Sequence, residues 1–125
     1  MILDTNGLSA LADGDRTLEP ILRRAAAIAL PVIVLGEYRY GIRQSRNRLR
    51  YEYWLAEALA SYQVLAVDEG TAEHYAEVRE ELKRMAHPIP GNDLWIAALA
   101  RQHRLPIISR DRHFDFVPGL KRLAW

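Results

Sequence analysis

Residues 1–13 read MILDTNGLSALAD, and the first four of them decide the fold class, because three apolar residues run directly into an aspartate. A short apolar run bounded by a polar residue predicts a buried strand, here over 1–3. Three similar runs follow along the chain: ALPVIV (29–34), YQVLAV (62–67) and LPIIS (105–109). Because helical patterns separate these runs, we predict an α/β fold with a mostly parallel central sheet flanked by helices.

The intervals between the predicted strands carry the apolar spacing that is typical of helices. The predicted helices cover 5–11, 17–27, 46–61, 69–85 and 93–102. Asp68 or Glu69 and Asn92 are the expected N-caps of the last two helices. In the helix over 46–61 the expected buried stripe consists of Leu49, Trp54, Leu55, Ala58 and Leu59. The helix over 93–102 is apolar around almost its whole circumference, which suits burial against a sheet.

The composition is that of an ordinary globular protein, with 50% apolar and 26% charged residues. A length of 125 residues predicts a single domain, 1–125. The absence of cysteine excludes disulfides, thiolate nucleophiles and cysteine-based zinc sites. No apolar stretch approaches the ~20 residues of a membrane span, and Met1 runs into the first strand without a basic leader segment. We therefore expect a cytoplasmic protein that does not associate with a membrane.

Charge is distributed unevenly along the chain, although the net charge is only +1. The run RYGIRQSRNRLR (39–50) holds five arginines and no acid, whereas 68–81 holds six acids and one arginine. Both patterns are typical of solvated helix faces, and we favour that interpretation for the acidic run. Tyrosines lie among and just beyond the arginines, and guanidinium and aromatic groups suit phosphates and bases. For the arginine run, a solvated face and a nucleic-acid surface both stay open.

Four carboxylates lie beside the most hydrophobic segments of the chain. Asp4 and Asp111 come at the ends of two predicted strands. Glu37 comes after a third strand, in the expected first turn of the next helix, and Asp93 opens the most apolar helix. Taken singly, each has a structural explanation as a helix cap or an ion-pair partner. Together, at the carboxyl ends of parallel strands, they converge on one edge of the sheet, where their mutual repulsion favours a divalent cation.

The residue types indicate which cation this edge would hold. Carboxylate oxygens are hard ligands that favour Mg²⁺ or Mn²⁺ over zinc. The histidines show no ligand spacing, and none of them is predicted to bind the metal: His74, His87, His103 and His113. Mg²⁺ and Mn²⁺ typically activate water for attack on a phosphodiester. The residues therefore predict metal-dependent phosphodiester chemistry, with the arginine run facing the phosphate backbone.

Four segments of the chain form a pattern by their order and spacing: DTNGLSAL (4–11), PVIVLGEYRYGI (31–42), IPGNDLWIAALA (89–100) and IISRDRHFDFVPGLK (107–121). Together they resemble the PIN-domain ribonucleases, and most closely the VapC-type toxins of bacterial and archaeal toxin–antitoxin pairs. No single segment is specific, but the four together span essentially the whole chain. The resemblance implies a PIN-like three-layer sandwich with a mostly parallel central sheet.

The resemblance also implies roles for individual residues. The acidic quartet that binds Mg²⁺ or Mn²⁺ and is required for cleavage corresponds to Asp4, Glu37, Asp93 and Asp111. Asn6 and Ser109 match polar positions that are expected to orient the carboxylates by hydrogen bonds. Asp115 is either a further residue of this kind or an exposed acid. The expected phosphate contacts are Arg43, Arg46 and Arg48.

The implied function is that of an endoribonuclease, the toxin of a type II toxin–antitoxin system. Metal-activated water would attack the scissile phosphorus without a protein nucleophile and leave 5′-phosphate and 3′-hydroxyl ends. The implied partners are an RNA substrate, a cognate antitoxin and a second copy of the chain in a homodimer. Two alternatives stay open: a housekeeping PIN nuclease of RNA maturation, and a PIN-like module that binds RNA or protein without catalysis.

Overall fold

The computed structural model describes residues 1–125 as five short strands, six α-helices and two 3-10 helices. The strands are β1 (Ile2–Leu3), β2 (Ala29–Pro31), β3 (Gln63–Leu65), β4 (Ile107–Ile108) and β5 (Arg122–Leu123). The α-helices are α1 (Thr5–Ala12), α2 (Glu19–Leu22), α3 (Val32–Arg43), α4 (Arg48–Leu59), α5 (Glu69–Arg84) and α6 (Gly91–His103). The 3-10 helices, Arg16–Leu18 and Arg112–Phe116, precede α2 and follow β4.

All five strands are parallel, and they lie in the order β3-β2-β1-β4-β5. The first strand of the chain is therefore the central one, and Ile2 and Leu3 are fully buried. Leu3 lies opposite Ile108 in the register of β1 and β4. The predicted α/β fold with a parallel sheet is confirmed, and the residues that follow β1 and β4 emerge side by side at one edge.

Residue 7 has to be small because α1 begins close to the central strand. A Cβ atom added to Gly7 would lie 2.7 Å from Cδ1 of Leu3 and 3.5 Å from the Trp125 ring. The 2.7 Å distance is shorter than real Cβ contacts, so with a side chain at this position either α1 or the buried Leu3 side chain would have to shift. The glycine thus keeps the turn after Asp4 tight.

The strand predicted over 29–34 is wrong beyond Pro31, where α3 begins directly. The valines and isoleucine that favour a strand form the first turn of this helix instead. Val34, Tyr38 and Ile42 are buried at a spacing of four residues, which places them on one helix face. Packing of that face outweighs the weak strand preference of β-branched residues. Glu37 consequently lies in the second turn of α3 rather than the first.

Other helix predictions are confirmed at α1, α4, α5 and α6 and wrong in details of their ends. Asp68 caps α5, because its carboxylate accepts from the Thr71 amide while the Thr71 hydroxyl accepts from the Asp68 amide, at 3.0 Å each. Asn92 is not a cap, since α6 begins at Gly91 after Pro90. Proline suits a helix start because its φ is already fixed near the helical value.

The helix predicted over 17–27 is mostly absent. A 3-10 turn and the four residues of α2 replace it, and the chain is irregular from 23 to 28. Pro20 lies in the first turn of α2, which suits a helix start, but no residue of α2 is buried, so no packed face extends the helix. The edge strand β5 was not predicted, because a two-residue strand that begins with arginine carries no apolar run.

The core lies between the sheet and the helices, and α6 contributes six buried residues to it, as its apolar sequence predicts. Leu49, in contrast, is 81% exposed, so its place in the predicted stripe of α4 is wrong. Six residues separate it from the buried Leu55, which turns the two side chains well apart on a helix. None of the helices is both long enough and apolar enough to cross a membrane.

Candidate metal centre

The site is built at the carboxyl ends of the adjacent strands β1 and β4. Asp4 follows β1, and its amide donates to the Ile108 carbonyl at 3.2 Å, which extends the strand pairing by one residue. Ser109 follows β4 and is fully buried. Its hydroxyl donates to Oδ2 of Asp4 at 2.7 Å and accepts from the Asp111 amide at 2.9 Å. One buried hydroxyl therefore couples two of the predicted ligands.

Asp4 is the most deeply buried of the predicted ligands, with 4% of its surface exposed. The Thr5 amide donates to Oδ1 at 2.8 Å, which makes Asp4 the N-cap of α1. The Asn6 amide group donates a longer bond of 3.5 Å to Oδ2. Burial raises the pKa of Asp4 despite these hydrogen bonds, and the negative charge of Asp111 adds to the rise. The carboxylate is thus held in place without a cation to neutralise it.

Asp93 and Asp111 meet at an imidazole that the sequence did not assign to the site. Nδ1 of His113 lies 3.1 Å from Oδ2 of Asp93 and 3.0 Å from Oδ1 of Asp111. Donor atoms of the three side chains all lie within 4.8 Å of one another, a spacing at which one ion can bind all three. Burial raises the pKa of Asp93, and the charges of Asp111 and Asp4 raise it further.

Glu37 approaches the same edge from the second turn of α3. Burial raises its pKa, and the negative charges of Asp4 and Asp93 raise it further. All four predicted carboxylates therefore act on one another electrostatically across four separate elements of the fold. We call this set the acidic edge: Asp4, Glu37, Asp93 and Asp111.

The acidic edge lacks cationic side chains. No lysine or arginine nitrogen lies within 4.0 Å of any of its carboxylate oxygens, and His113 is the one basic group that does. Clustered buried carboxylates without a cation are unfavourable because their charges repel and are poorly solvated. Hard oxygen donors with one imidazole at this spacing fit a divalent metal ion. The residues present can therefore hold a metal at Asp93, Asp111 and His113.

His113 is the site residue that the sequence reasoning missed: its ring lies between Asp93 and Asp111, although no histidine was predicted to bind the metal. Its amide donates to Oδ1 of Asp111 at 2.9 Å, so Asp111 caps the 3-10 helix that carries the imidazole. That turn places the ring beside the carboxylates. The pKa of His113 is raised, and its hydrogen bond with Asp93 is the largest cause. The spacing Asp-x-His just after a strand was the available signal, because a capped turn points both side chains the same way.

The remaining predicted residues surround the edge rather than forming it. Asn6 bonds Asp4 and also accepts from the Arg110 amide at 3.4 Å, which links α1 to the segment after β4. Asp115 points to Arg122 of β5, which donates to its two oxygens at 2.7 and 2.9 Å. These hydrogen bonds lower the pKa of Asp115, opposite to the shifts in the acidic edge. Asp115 thus acts on the site only through its neighbours.

The three predicted RNA contacts lie at the end of α3, in the connection to α4 and at the start of α4. Arg43 and Arg46 are exposed and form no salt bridge. Arg48 instead pairs with Glu52 one turn later, with Nε 2.9 Å from Oε1. Two of the three guanidinium groups are therefore unpaired, while the third is partly neutralised.

Comparisons with known proteins show the family to which the chain belongs. A sequence profile of the PIN domain matches residues 1–120. Ribonuclease VapC5 of Mycobacterium tuberculosis is 31% identical over 120 residues, which span 94% of this chain and 87% of that protein. A tRNA(fMet)-specific endonuclease VapC of Shigella flexneri is 31% identical over 94 residues, 74% of this chain and 71% of that protein.

The fold comparison points the same way. The crystal structure of VapBC2 from Rickettsia felis, bound to a DNA fragment from its promoter, contains a chain that is 26% identical and superposes with a TM-score of 0.85. The match covers 99% of this chain and 97% of that one. The sheet, the acidic edge and these matches together place the chain in the VapC group of the PIN-domain family.

Proposed function

We propose that the protein is a Mg²⁺- or Mn²⁺-dependent endoribonuclease that acts as the toxin of a type II toxin–antitoxin system. The observation that carries the proposal is the acidic edge, where four carboxylates with mutual repulsion have no lysine or arginine partner. A binding module without catalysis gains nothing from keeping them together. Membership of a family whose named relatives are ribonucleases supports the same activity.

The chain's own groups divide the work of such a reaction. Asp93, Asp111 and His113 offer the closest set of metal ligands, with Asp4 and Glu37 completing the negative field. A bound Mg²⁺ or Mn²⁺ would supply Lewis-acid activation of water and neutralise charge on the phosphate. Ser109 fixes Asp4 and Asp111 relative to each other, which preserves ligand geometry between turnovers. No side chain is assigned as a nucleophile. By resemblance to the PIN-domain nucleases, the 3′ oxygen would leave when water attacks the phosphorus, so the products should carry 5′-phosphate and 3′-hydroxyl ends.

The RNA is expected to reach this edge across the α3–α4 connection. Arg43 and Arg46 are free to contact phosphates, whereas Arg48 would first have to leave Glu52. Each phosphate contact releases counterions, so removing one should weaken binding and flatten its salt dependence without changing the cleaved sequence. The tRNA specificity named for the Shigella flexneri relative makes structured RNA with an exposed loop the substrate class to test first.

The expected protein partner is a cognate antitoxin. Solved relatives include VapBC complexes and the FitAB complex bound to DNA, in which toxin-like chains occur with their partners. We propose that the partner of this chain covers the acidic edge and places a basic side chain among its carboxylates. The homodimer and the cytoplasmic location stay predictions.

The deciding experiment is cleavage of total cellular RNA by the purified chain with Mg²⁺, Mn²⁺ or EDTA, beside the variant Asp4→Asn. Discrete cuts that need the metal and disappear in the variant are expected, and sequencing of the product ends identifies the RNA. Uniform trimming of ribosomal precursors would favour the housekeeping alternative. Absence of any cut by folded, antitoxin-free protein would leave only the binding module.

A further inference from the structure

Arg122 is largely buried, and all three nitrogens of its guanidinium group donate hydrogen bonds to the segment that follows β4. Its side chain is 14% exposed. Nε and one terminal nitrogen donate to the two oxygens of Asp115 at 2.7 and 2.9 Å. The other terminal nitrogen donates to the Ser109 carbonyl at 3.0 Å. One side chain of β5 therefore binds both ends of the segment 109–115. We call these contacts to Ser109 and Asp115 the Arg122 clamp.

The segment 109–115 carries two of the three candidate metal ligands that lie closest together. Asp111 and His113 lie between the two contact points, and neither is in a strand or an α-helix. Phe114 is fully buried and anchors the segment in the core next to Asp115. Asp93, the third ligand, belongs to α6, so its distance from the other two depends on where the segment is held.

We propose that Arg122 is a positioning residue of the metal centre, which sets the separation of Asp111 and His113 from Asp93 by fastening Ser109 and Asp115 together. This inference rests on the metal-dependent function proposed above. Arg122 lies on an edge strand that is only half buried and contacts no carboxylate of the acidic edge. Its hydrogen bonds reach the ligands through the backbone of the segment, and its positive charge acts on Asp111 in addition.

The planar fork of arginine is what this geometry uses. Two parallel N–H groups match a carboxylate, and the third direction of the same plane reaches the carbonyl of another residue. Lysine keeps the charge but offers a point donor on a flexible stem, so it cannot hold Asp115 in two places and Ser109 as well. Groups that orient metal ligands in this way commonly change metal affinity by about 10- to 100-fold when removed.

The test measures metal affinity separately from turnover in the variants Arg122→Lys and Asp115→Asn. Mn²⁺ binding is followed by calorimetry, and RNA cleavage is followed as a function of Mg²⁺ concentration. We expect the Mn²⁺ Kd and the Mg²⁺ midpoint to rise about 10-fold or more, with a nearly normal plateau rate once the metal saturates. The double variant should lose no more Mn²⁺ affinity than the weaker-binding single variant, because both changes disrupt the same Arg122 clamp.

Arg101→Lys is the matched control, since Arg101 of α6 is 21% exposed and donates from both terminal nitrogens to the two oxygens of Glu81 on α5. It should leave the Mn²⁺ Kd unchanged. The inference is overturned if both clamp variants bind Mn²⁺ within about twofold of the wild type, or if they lower only the melting temperature of the metal-free protein. Should Arg122→Lys fail to fold, the Mn²⁺ Kd of Asp115→Asn tests the inference by itself. That variant disrupts the two hydrogen bonds to the Asp115 carboxylate and keeps the one to the Ser109 carbonyl.

Different results would refute the proposed function and the role of Arg122. Wild-type protein that binds Mn²⁺ but cuts no RNA would refute the proposed function, while the effect of Arg122 on metal affinity would still be measured. Wild-type protein that binds Mn²⁺ and cuts RNA, beside clamp variants that do both equally well, would refute only the role of Arg122.

Discussion

Carboxylates crowd two regions of this molecule, the acidic edge and the helix α5 with its cap, and the two regions treat them in opposite ways. In α5, Glu80 pairs with Arg84, and Glu81 pairs with Arg101. Hydrogen bonds from Gln102 and from the start of α5 lower the pKa of the capping Asp68. At the acidic edge, burial and mutual repulsion raise the pKa values of Asp4, Glu37 and Asp93 instead.

The difference teaches that the number of acids in a region says little about what they do. The acids of α5 have their countercharges and donors within the chain or face water, so the helix is complete as it stands. The acidic edge has only one half-exposed imidazole, which leaves a deficit of positive charge. Such a deficit is what a divalent cation corrects. Four experiments can break or sharpen this comparison.

The largest effect is expected from removing a single charge at the acidic edge. Asp93→Asn or Asp111→Asn should lower RNA cleavage by about 10²- to 10³-fold, because a lost ligand removes several kcal/mol of charge stabilisation. Glu80→Gln in α5 is the control and should cleave at the wild-type rate. Initial rates on one RNA at fixed Mg²⁺ measure this. Equal rates for Asp93→Asn and Glu80→Gln would erase the distinction between the two regions.

Each region also contains one fully buried hydroxyl, Ser109 at the edge and Thr71 at the start of α5. Ser109→Ala should reduce cleavage about 10- to 100-fold, because Asp4 and the Asp111 amide both lose a partner. Thr71→Ala should lower the melting temperature while leaving cleavage unchanged. Melting curves and cleavage rates of both variants give a two-way comparison. Loss of cleavage in Thr71→Ala would contradict it.

Removal of a carboxylate should change the stability of the metal-free protein in opposite directions in the two regions. Asp68→Ala removes the cap of α5 and should cost about 1 kcal/mol of unfolding free energy, whereas Asp68→Asn should cost little. Glu37→Gln removes a charge that the fold disfavours, so it should stabilise the metal-free protein at neutral pH. Urea unfolding in EDTA measures both. A destabilising Glu37→Gln would contradict the repulsion inferred at the edge.

The smallest effect is the pH dependence of the metal-free protein. The carboxylates of Asp93 and Asp111 raise the pKa of His113 above its ordinary 6.5. The stability contributed by the protonated ring is therefore complete below that value and is lost as pH rises through the raised pKa. Unfolding in EDTA should show a more stable protein at about pH 6 than at about pH 8.

Two controls sharpen the pH experiment. His113→Gln should reduce the difference, because the contribution of the protonated imidazole is then lost. Saturating Mn²⁺ should reverse the trend, since metal and protons compete for the same ligands. An unchanged pH dependence in His113→Gln would show that the imidazole is not coupled to the carboxylates.

The sheet could be predicted from sequence because each of its first four strands lies within an apolar run, and helical patterns separate these runs. The start of α3 could not, since 32–34 satisfies the strand preference locally and becomes helical only through packing of Val34, Tyr38 and Ile42. The strand β5 could not either, because the contacts that make Arg122 part of the sheet lie in other segments. Tertiary contacts decided both cases.

The candidate site divides in the same way. The rule that ligands gather at the carboxyl ends of parallel strands was enough to select the four acids. His113 was overlooked because its partner Asp93 lies 20 residues earlier, and the local Asp-x-His spacing to Asp111 was not used. The paired state of Arg48 was visible in principle, since Glu52 follows it by one helical turn. Whether the named residues bind metal and RNA rests on the experiments above.

The central place of β1 also sets the point in synthesis at which the proposed metal centre can form. Asp4 is synthesised 105 residues before the Ser109 hydroxyl from which it accepts a hydrogen bond. At about 5–20 residues per second, translation needs roughly 5–20 s to supply that partner. We therefore expect the proposed nuclease activity to be absent until β4 and Ser109 have joined the sheet.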